Sequence, residues 1–215
     1  MKNKKVVLFT LVFLVVGFIG AIGLYQSDVD NKNSQLASDN KGVPFVRDHS
    51  PMFGQNKNQV IITEFLDPEC ESCSAFHPIM KEVFNDYKVE TQLVIRYLDN
   101  HYNSKFAIRL LEAARIQGKY KETLDVMFKH QPKWADHYSP KPELLWTLLP
   151  EANLDMDKLK KDFETNNIDK MLNFDRIDAT TLGVRGTPTI FINGKKLREL
   201  SHKALQDLVE SEIYK

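Results

Sequence analysis

Cysteine is nearly absent from this chain of 215 residues: only Cys70 and Cys73 occur, so there is no second pair to complete a structural zinc site. The six histidines, His49, His77, His101, His130, His137 and His202, form no ligand cluster. His130 and His137 are seven residues apart, which is not the spacing of a zinc-binding histidine pair. An excess of one charge is also missing, with 29 basic and 29 acidic residues. Lys2, Lys4 and Lys5 are the only charges before residue 26, so the remainder carries 26 basic and 29 acidic residues, a net of −3. Nucleic-acid binding wants a basic face, and this composition argues against it. Internal repeats and long low-complexity tracts are absent as well.

Behind those three lysines runs VVLFTLVFLVVGFIGAIGLY, Val6 to Tyr25, with Thr10 as its one clearly polar residue. That length is about the 20 residues a helix needs to cross a bilayer. A single N-terminal transmembrane helix over residues 6–25 is therefore expected, with a signal sequence cleaved near Ala21-Ile22-Gly23 as the alternative. Basic residues before the span and none after it until Lys32 keep the N-terminus cytoplasmic and put the rest outside. Residues 26–42 are polar and without period, which predicts a flexible linker. Residues 43–215 remain for one domain with a full core.

In that domain QVIITEF, Gln59 to Phe65, reads as a buried strand closed by Asp67-Pro68. From Cys70 onward Phe76, Met80, Val83, Phe84 and Tyr87 recur at helical spacing. LVIRYL, Leu93 to Leu98, predicts a second strand, and about 104–175 turns helical. TPTIFING, Thr187 to Gly194, is a strand ending in an Asn-Gly turn, with KKLREL as its return strand. Leu205, Leu208, Val209 and Ile213 share a face of a last helix. The order implies an α/β fold with an inserted helical subdomain.

The cysteines stand as C-x-x-C where the first helix begins. There the free backbone N–H groups and the positive end of the helix dipole favour a thiolate. Cys70 would be the nucleophile, and Cys73, one turn further in, would resolve the mixed disulfide. Other uses of the pair compete. A structural disulfide closing so short a loop constrains the unfolded chain little. A c-type haem would need histidine where Ser74 stands.

EFLDPECESC, with Pro78 five residues after Cys73, and LGVRGTPTIFING, Leu182 to Gly194, resemble two motifs of the thioredoxin superfamily. Within it the chain resembles the DsbA-like thiol:disulfide oxidoreductases of the bacterial cell envelope; ARIQGKY and FKHQPKW are similar to that family's helical insert. The resemblance covers about Phe45 to the C-terminus. It implies a thioredoxin-like fold, a cis bond between Thr187 and Pro188 beside Cys70, and a Thr187 backbone that receives an extended substrate strand. It also places Glu64 as a buried acid beneath the disulfide, exchanging a proton as Cys73 reacts, against the plainer reading of a solvent-facing strand residue.

Glu71 and Ser72 are expected to tune the pair. Strongly oxidising relatives commonly carry histidine where Ser72 stands, and Asp67, Glu69 and Glu71 should disfavour another negative charge. A weaker oxidant than the strongest DsbA proteins follows. His77, on the same helix, is a further candidate for tuning, and Trp134 and Trp146 are expected to pack the insert.

The implied activity is dithiol-disulfide exchange on exported proteins with cysteines, needing no cofactor beyond the redox-active disulfide. The implied partner is a quinone-linked oxidase or a transmembrane reductant. The expected location is the cell envelope, facing the periplasm or extracytoplasmic space and anchored in the inner membrane, with a monomeric exported domain. An alternative of another class is a thioredoxin-fold copper carrier using the two thiols as ligands.

Overall fold

The two central strands are the β-branched and aromatic runs. β2 (Val60–Leu66) and β3 (Thr91–Tyr97) pair in parallel, from Val60 opposite Thr91 to Leu66 opposite Tyr97. Each lies one or two residues from its expected bounds. The computed structural model describes residues 14–24 and 45–215. Residues 14–24 are helical (α1) with exposed side chains. No helix among the described residues is long and apolar enough to cross a membrane. The rest of the expected span over 6–25, and all of the linker over 26–42, lie outside the described residues.

Alternation along β2 sends its side chains to two covered faces. Val60, Ile62 and Leu66 enter the main core, while Phe65 on the opposite face packs with Leu98, Ala179, Leu182 and Phe191. Glu64 shares the first face with Ile62 and Leu66. That face is covered by α2 (Glu71–Asp86), which buries Cys73, Phe76, Met80, Val83 and Phe84 at helical spacing and carries Pro78 inside it. α9 (His202–Ile213) packs beside α2 and against β2 and β4 (Thr189–Ile192). β4 runs antiparallel to β2, with Phe65 opposite Thr189 and Glu64 opposite Ile190.

Among the described residues one five-stranded sheet has the order β1-β3-β2-β4-β5. β1 (Met52–Phe53), paired antiparallel to β3, is too short for any periodicity to reveal. β5 is only Lys195–Lys196, so the return strand expected through Leu200 stops early. Arg198, Glu199 and Leu200 beyond it are exposed. Asn193 and Gly194, both at positive φ, make the tight turn before it.

Between β3 and β4 the chain builds its helical subdomain: α3 (Ser104–Ile116), α4 (Tyr120–Lys129), short α5 (Gln131–Trp134), α6 (Leu145–Leu148) between two 3-10 turns, and α7 (Met156–Thr165). Trp134 is fully buried, its Nε1 donating to Met127 O at 2.8 Å. Trp146 packs edge-on against Phe106 and Phe163. α8 (Asp169–Thr181) carries the helical stretch past its expected end at 175.

Buried acids on the core face of α8 hide its period. Arg96, fully buried in β3, bonds Asp175 Oδ1 at 2.7 Å and Asp178 Oδ2 at 2.5 Å. Arg47 reaches Asp178 with two nitrogens, at 2.9 and 2.8 Å, and His49 reaches Asp175 at 2.8 Å. The backbone N–H of Tyr97 donates to Asp175 Oδ2 at 2.8 Å. This charge cluster ties the segment entering the domain to the helix that leads into the Thr187 loop.

Candidate active site

The turn after β2 sets the direction of the first thiol. Asp67 accepts at Oδ1 from the Glu69 N–H (2.9 Å), and its carbonyl accepts from Cys70 N (3.1 Å). Cys70 then takes extended angles, φ −74° and ψ 121°, as the N-cap of α2. Its sulfur receives hydrogen bonds from the Cys73 thiol, from Thr187 and from the backbone N–H groups of Cys73 and Ser72, which together outweigh burial and lower its pKa to about 5. That lies between ~7 for thioredoxin and ~3.5 for DsbA. Cys73 has no exposed surface. Burial, its hydrogen bond to Cys70 and the charges of Glu64 and Cys70 push its pKa far up. One turn of helix thus holds a thiolate beside a thiol; both cysteines are free.

Register brings the second half of the site to the same place. The Thr187–Pro188 bond is cis, as the sequence motif implied. Because Thr189 pairs with Phe65, this loop stands at the end of β2, and Cys70 Sγ lies 3.2 Å from the Thr187 carbonyl oxygen.

Glu64 points into the core and not to solvent, with 2% of its surface exposed. Its neighbours across the ladders are Ile95 and Ile190. Its Oε1 finds no hydrogen-bond partner among the described residues. Burial pushes its pKa up to about 8, so it is mostly a neutral acid at pH 7.

The flanking acids differ in how they are held. Asp67, buried, also accepts at Oδ2 from Asn100 N (3.0 Å) and His101 Nδ1 (2.7 Å). Glu69 accepts from Asn103 N and Nδ2 at 2.6 and 2.9 Å, at the N-cap of α3. Each carboxylate is thus held in place by its own set of donors. Glu71 and Ser72 are exposed on the rim, and the Glu71 carboxylate faces His137 at 3.2 Å.

Two further residues escaped sequence reading. Burial lowers the His101 pKa, but the bond to Asp67 and the charges of Asp67, Cys70 and Glu69 raise it on balance. A cation is thereby favoured near Cys70 although the dipeptide between the cysteines has none. Gln131, buried in the insert, donates from Nε2 to the carbonyls of Pro68 (2.9 Å) and Cys70 (3.1 Å) and fixes the active turn from above. Both lie more than 30 residues from Cys70, and no local pattern marks them. Among the described residues no group of three His, Cys, Asp or Glu is arranged to hold a metal ion.

Comparison with known proteins places this arrangement. The thiol-disulfide exchange protein alpha-DsbA2 from Wolbachia pipientis is similar with a TM-score of 0.69 and 23% identity, over 86% of this chain and 97% of that one. Oxidised BdbD from Bacillus subtilis is similar with a TM-score of 0.68 and 19% identity, over 78% and 94%. These likenesses bear out the DsbA-like fold read from the motifs. Among curated relatives, the Na(+)/H(+) antiporter NhaA 3 of Salinispora tropica is 29% identical over 158 residues, 72% of this chain and 23% of that protein. The antiporter NhaA of Herminiimonas arsenicoxydans is 26% identical over 145 residues, 67% and 22%. The chain therefore spans less than a quarter of the length of these curated relatives. A thioredoxin family model matches residues 47–211, well over half the sequence, and the chain belongs to the thioredoxin family.

Proposed function

We propose that the chain is a thiol:disulfide oxidoreductase that exchanges dithiols and disulfides with exported proteins through Cys70 and Cys73. The observation that carries this reading is the pair of opposed thiols: a lowered Cys70 at the helix start, against the Thr187 carbonyl, over a buried and protonated Cys73. Neighbouring groups whose environments drive their pKa values apart are arranged for separate roles.

In the oxidising direction a substrate thiolate attacks Cys70 Sγ, the Cys70–Cys73 bond breaks, and the electron pair goes to Cys73. A second substrate thiolate then attacks its own partner sulfur and releases Cys70 as the stabilised thiolate. The two electrons stay on Cys70 and Cys73 until a partner removes them. In the reducing direction Cys70 attacks the substrate disulfide and Cys73 resolves the intermediate. Thr187, beside Pro188, holds the extended substrate strand. Glu64 supplies or accepts the Cys73 proton, and no cofactor beyond the disulfide is required.

A Cys70 pKa of about 5 supports a couple between the reductant thioredoxin, ~−270 mV, and the oxidant DsbA, ~−120 mV. The reading extends to an envelope location with the domain on the periplasmic or extracytoplasmic side, anchored through residues 6–25. It includes a membrane redox partner, either a quinone-linked oxidase or a transmembrane reductant. A Cys73→Ser chain tests the activity, because it should accumulate reducible mixed disulfides at Cys70 with envelope proteins. A Cys73→Ser chain that stays unmodified while wild type turns over dithiol substrates would remove Cys73 from the resolving role. For a copper carrier, no third His, Cys, Asp or Glu ligand is arranged with the two thiols among the described residues.

A further inference from the structure

The loop that follows β3 closes over the active turn and brings a titratable ring to it. Asn100 N and His101 Nδ1 both bond Asp67 Oδ2, at 3.0 and 2.7 Å. Asp67 is also the residue whose carbonyl accepts the Cys70 N–H at 3.1 Å, so a single residue joins the ring to the nucleophile's own turn. The backbone of the ring is fixed as well. His101 N donates to Ser104 Oγ at 3.1 Å, and that hydroxyl donates to Glu69 Oε2 at 3.4 Å. Two carboxylates, Asp67 and Glu69, are thus buried just ahead of Cys70. A thiolate at Cys70 adds a third negative charge to this turn, and His101 is where a proton can answer it.

We propose that His101, held on Asp67, is the counter-charge of the Cys70 thiolate, so that its proton makes the couple a stronger oxidant and loss of that proton a weaker one. The proposal rests on the thiol exchange at Cys70 given above, and adds to it a positioning residue outside the C-x-x-C segment. Burial lowers the His101 pKa, but the Asp67 bond and the charges of Asp67, Cys70 and Glu69 raise it above its ordinary 6.5. What the thiolate does for the ring, the charged ring does for the thiolate, by the same free energy. Other charged groups near the loop have partners of their own. Asp99 pairs with Arg176 of α8 at 2.7 Å, and Lys105 of α3 pairs with Asp169 of α8. Arg185, in the loop before Pro188, is exposed, as is His137, which faces Glu71. Solvent screens these two more than it screens His101.

Reduction of the disulfide takes two electrons and one proton, and leaves Cys70 as a thiolate and Cys73 as a thiol. Over the pH range in which only the new thiolate keeps the ring charged, reduction draws a further fraction of a proton from water onto His101. The reduced chain is stabilised to that extent, and a more stable reduced form is a stronger oxidant. The gain is greatest between about 5, below which Cys70 becomes a thiol, and the raised His101 value, and it fades on either side. An opposite charge in direct contact is worth about tenfold or more. His101 acts across Asp67 and its side chain is 35% exposed, which reduces its worth to about fivefold.

The test is the equilibrium of the full-length chain with reduced and oxidised glutathione from pH 5 to 9, read after acid quenching, for wild type, His101→Gln and His101→Lys. Glutathione's own ionisation cancels when variant and wild type are compared at one pH. At pH 6 His101→Gln should be about fivefold harder to reduce than wild type, roughly 20 mV for this two-electron couple, and its Cys70 thiolate should titrate at higher pH. At pH 9, where the wild-type ring has lost its proton, the two should agree to within about twofold. His101→Lys keeps a charge throughout; it should match wild type at pH 6 and be the stronger oxidant at pH 9. A ratio of His101→Gln to wild type that stays flat from pH 5 to 9, or a His101→Lys chain as weak as His101→Gln, would confine His101 to shaping the turn and overturn the proposal. A wild-type chain that does not equilibrate with glutathione at any pH would remove the exchange reading itself, and the proposal with it.

Discussion

Replacing Glu64 with Gln should make the reduced chain more stable at neutral pH and abolish a pH dependence that the acid imposes. In the folded chain burial holds the carboxyl at about 8 against an ordinary value of 4.5. A carboxyl whose folded pKa is the higher one binds its proton more tightly when folded. The stability it lends is complete below pH 4.5 and is lost as pH climbs through about 8. The full difference is roughly 5 kcal/mol at ~1.36 kcal/mol per pH unit, of which roughly 3 kcal/mol has gone by pH 7. Glutamine has the shape of the neutral acid and does not titrate. The variant's advantage over wild type should therefore grow from near zero at pH 4.5 to roughly 3 kcal/mol at pH 7. Cys70 titrates with the opposite sign: its depressed pKa gives stability above the thiol's ordinary 9.0 that is lost as pH falls through about 5. It does so in both chains and cancels in the difference. Urea unfolding under excess reductant, repeated from pH 5 to 8, measures this directly. A difference that stays flat over that range would refute the assignment of Glu64 as a buried, proton-holding acid.

Absorbance of the thiolate near 240 nm should titrate in a single step with a midpoint near about 5 and belong to Cys70, as Cys70→Ser would show by removing it. A midpoint close to the free-thiol value of ~8.5 would mean that the helix start does not stabilise the anion. Asp175→Ala should cost roughly 3–5 kcal/mol in urea unfolding at unchanged slope, because it breaks a buried ion pair and removes the acceptor of the Tyr97 N–H. A loss under ~1 kcal/mol would show the charge cluster to be dispensable.

The parts of the site legible in sequence are those set by short-range rules. A β-branched run, a turn and a helical period place Cys70 and Cys73 without reference to the rest of the chain. The motif around Thr187 is local as well. Glu64 was legible as a position, but its burial depends on α2 and α4 covering that face of β2. The donors that hold Asp67 and Glu69, among them His101 and Asn103, come from beyond β3 and leave no local signal. Arg96 breaks the apolar pattern of β3, and Asp175 and Asp178 that of α8. Each reads as a surface charge until the three are seen to pair.

Cys70 and the Thr187 oxygen beside it are 117 residues apart in sequence. A chain made from its N-terminus delivers the cysteine pair first and the loop that completes the site more than a hundred residues later. Until then Cys70 lacks the side-chain hydrogen bond from Thr187, and Gln131 reaches the turn only when the first half of the insert has been made. The reactive thiol is finished last, after the long helical block has passed between its two halves. The order of synthesis thus delays full activation of the cysteine until the chain can fold around it.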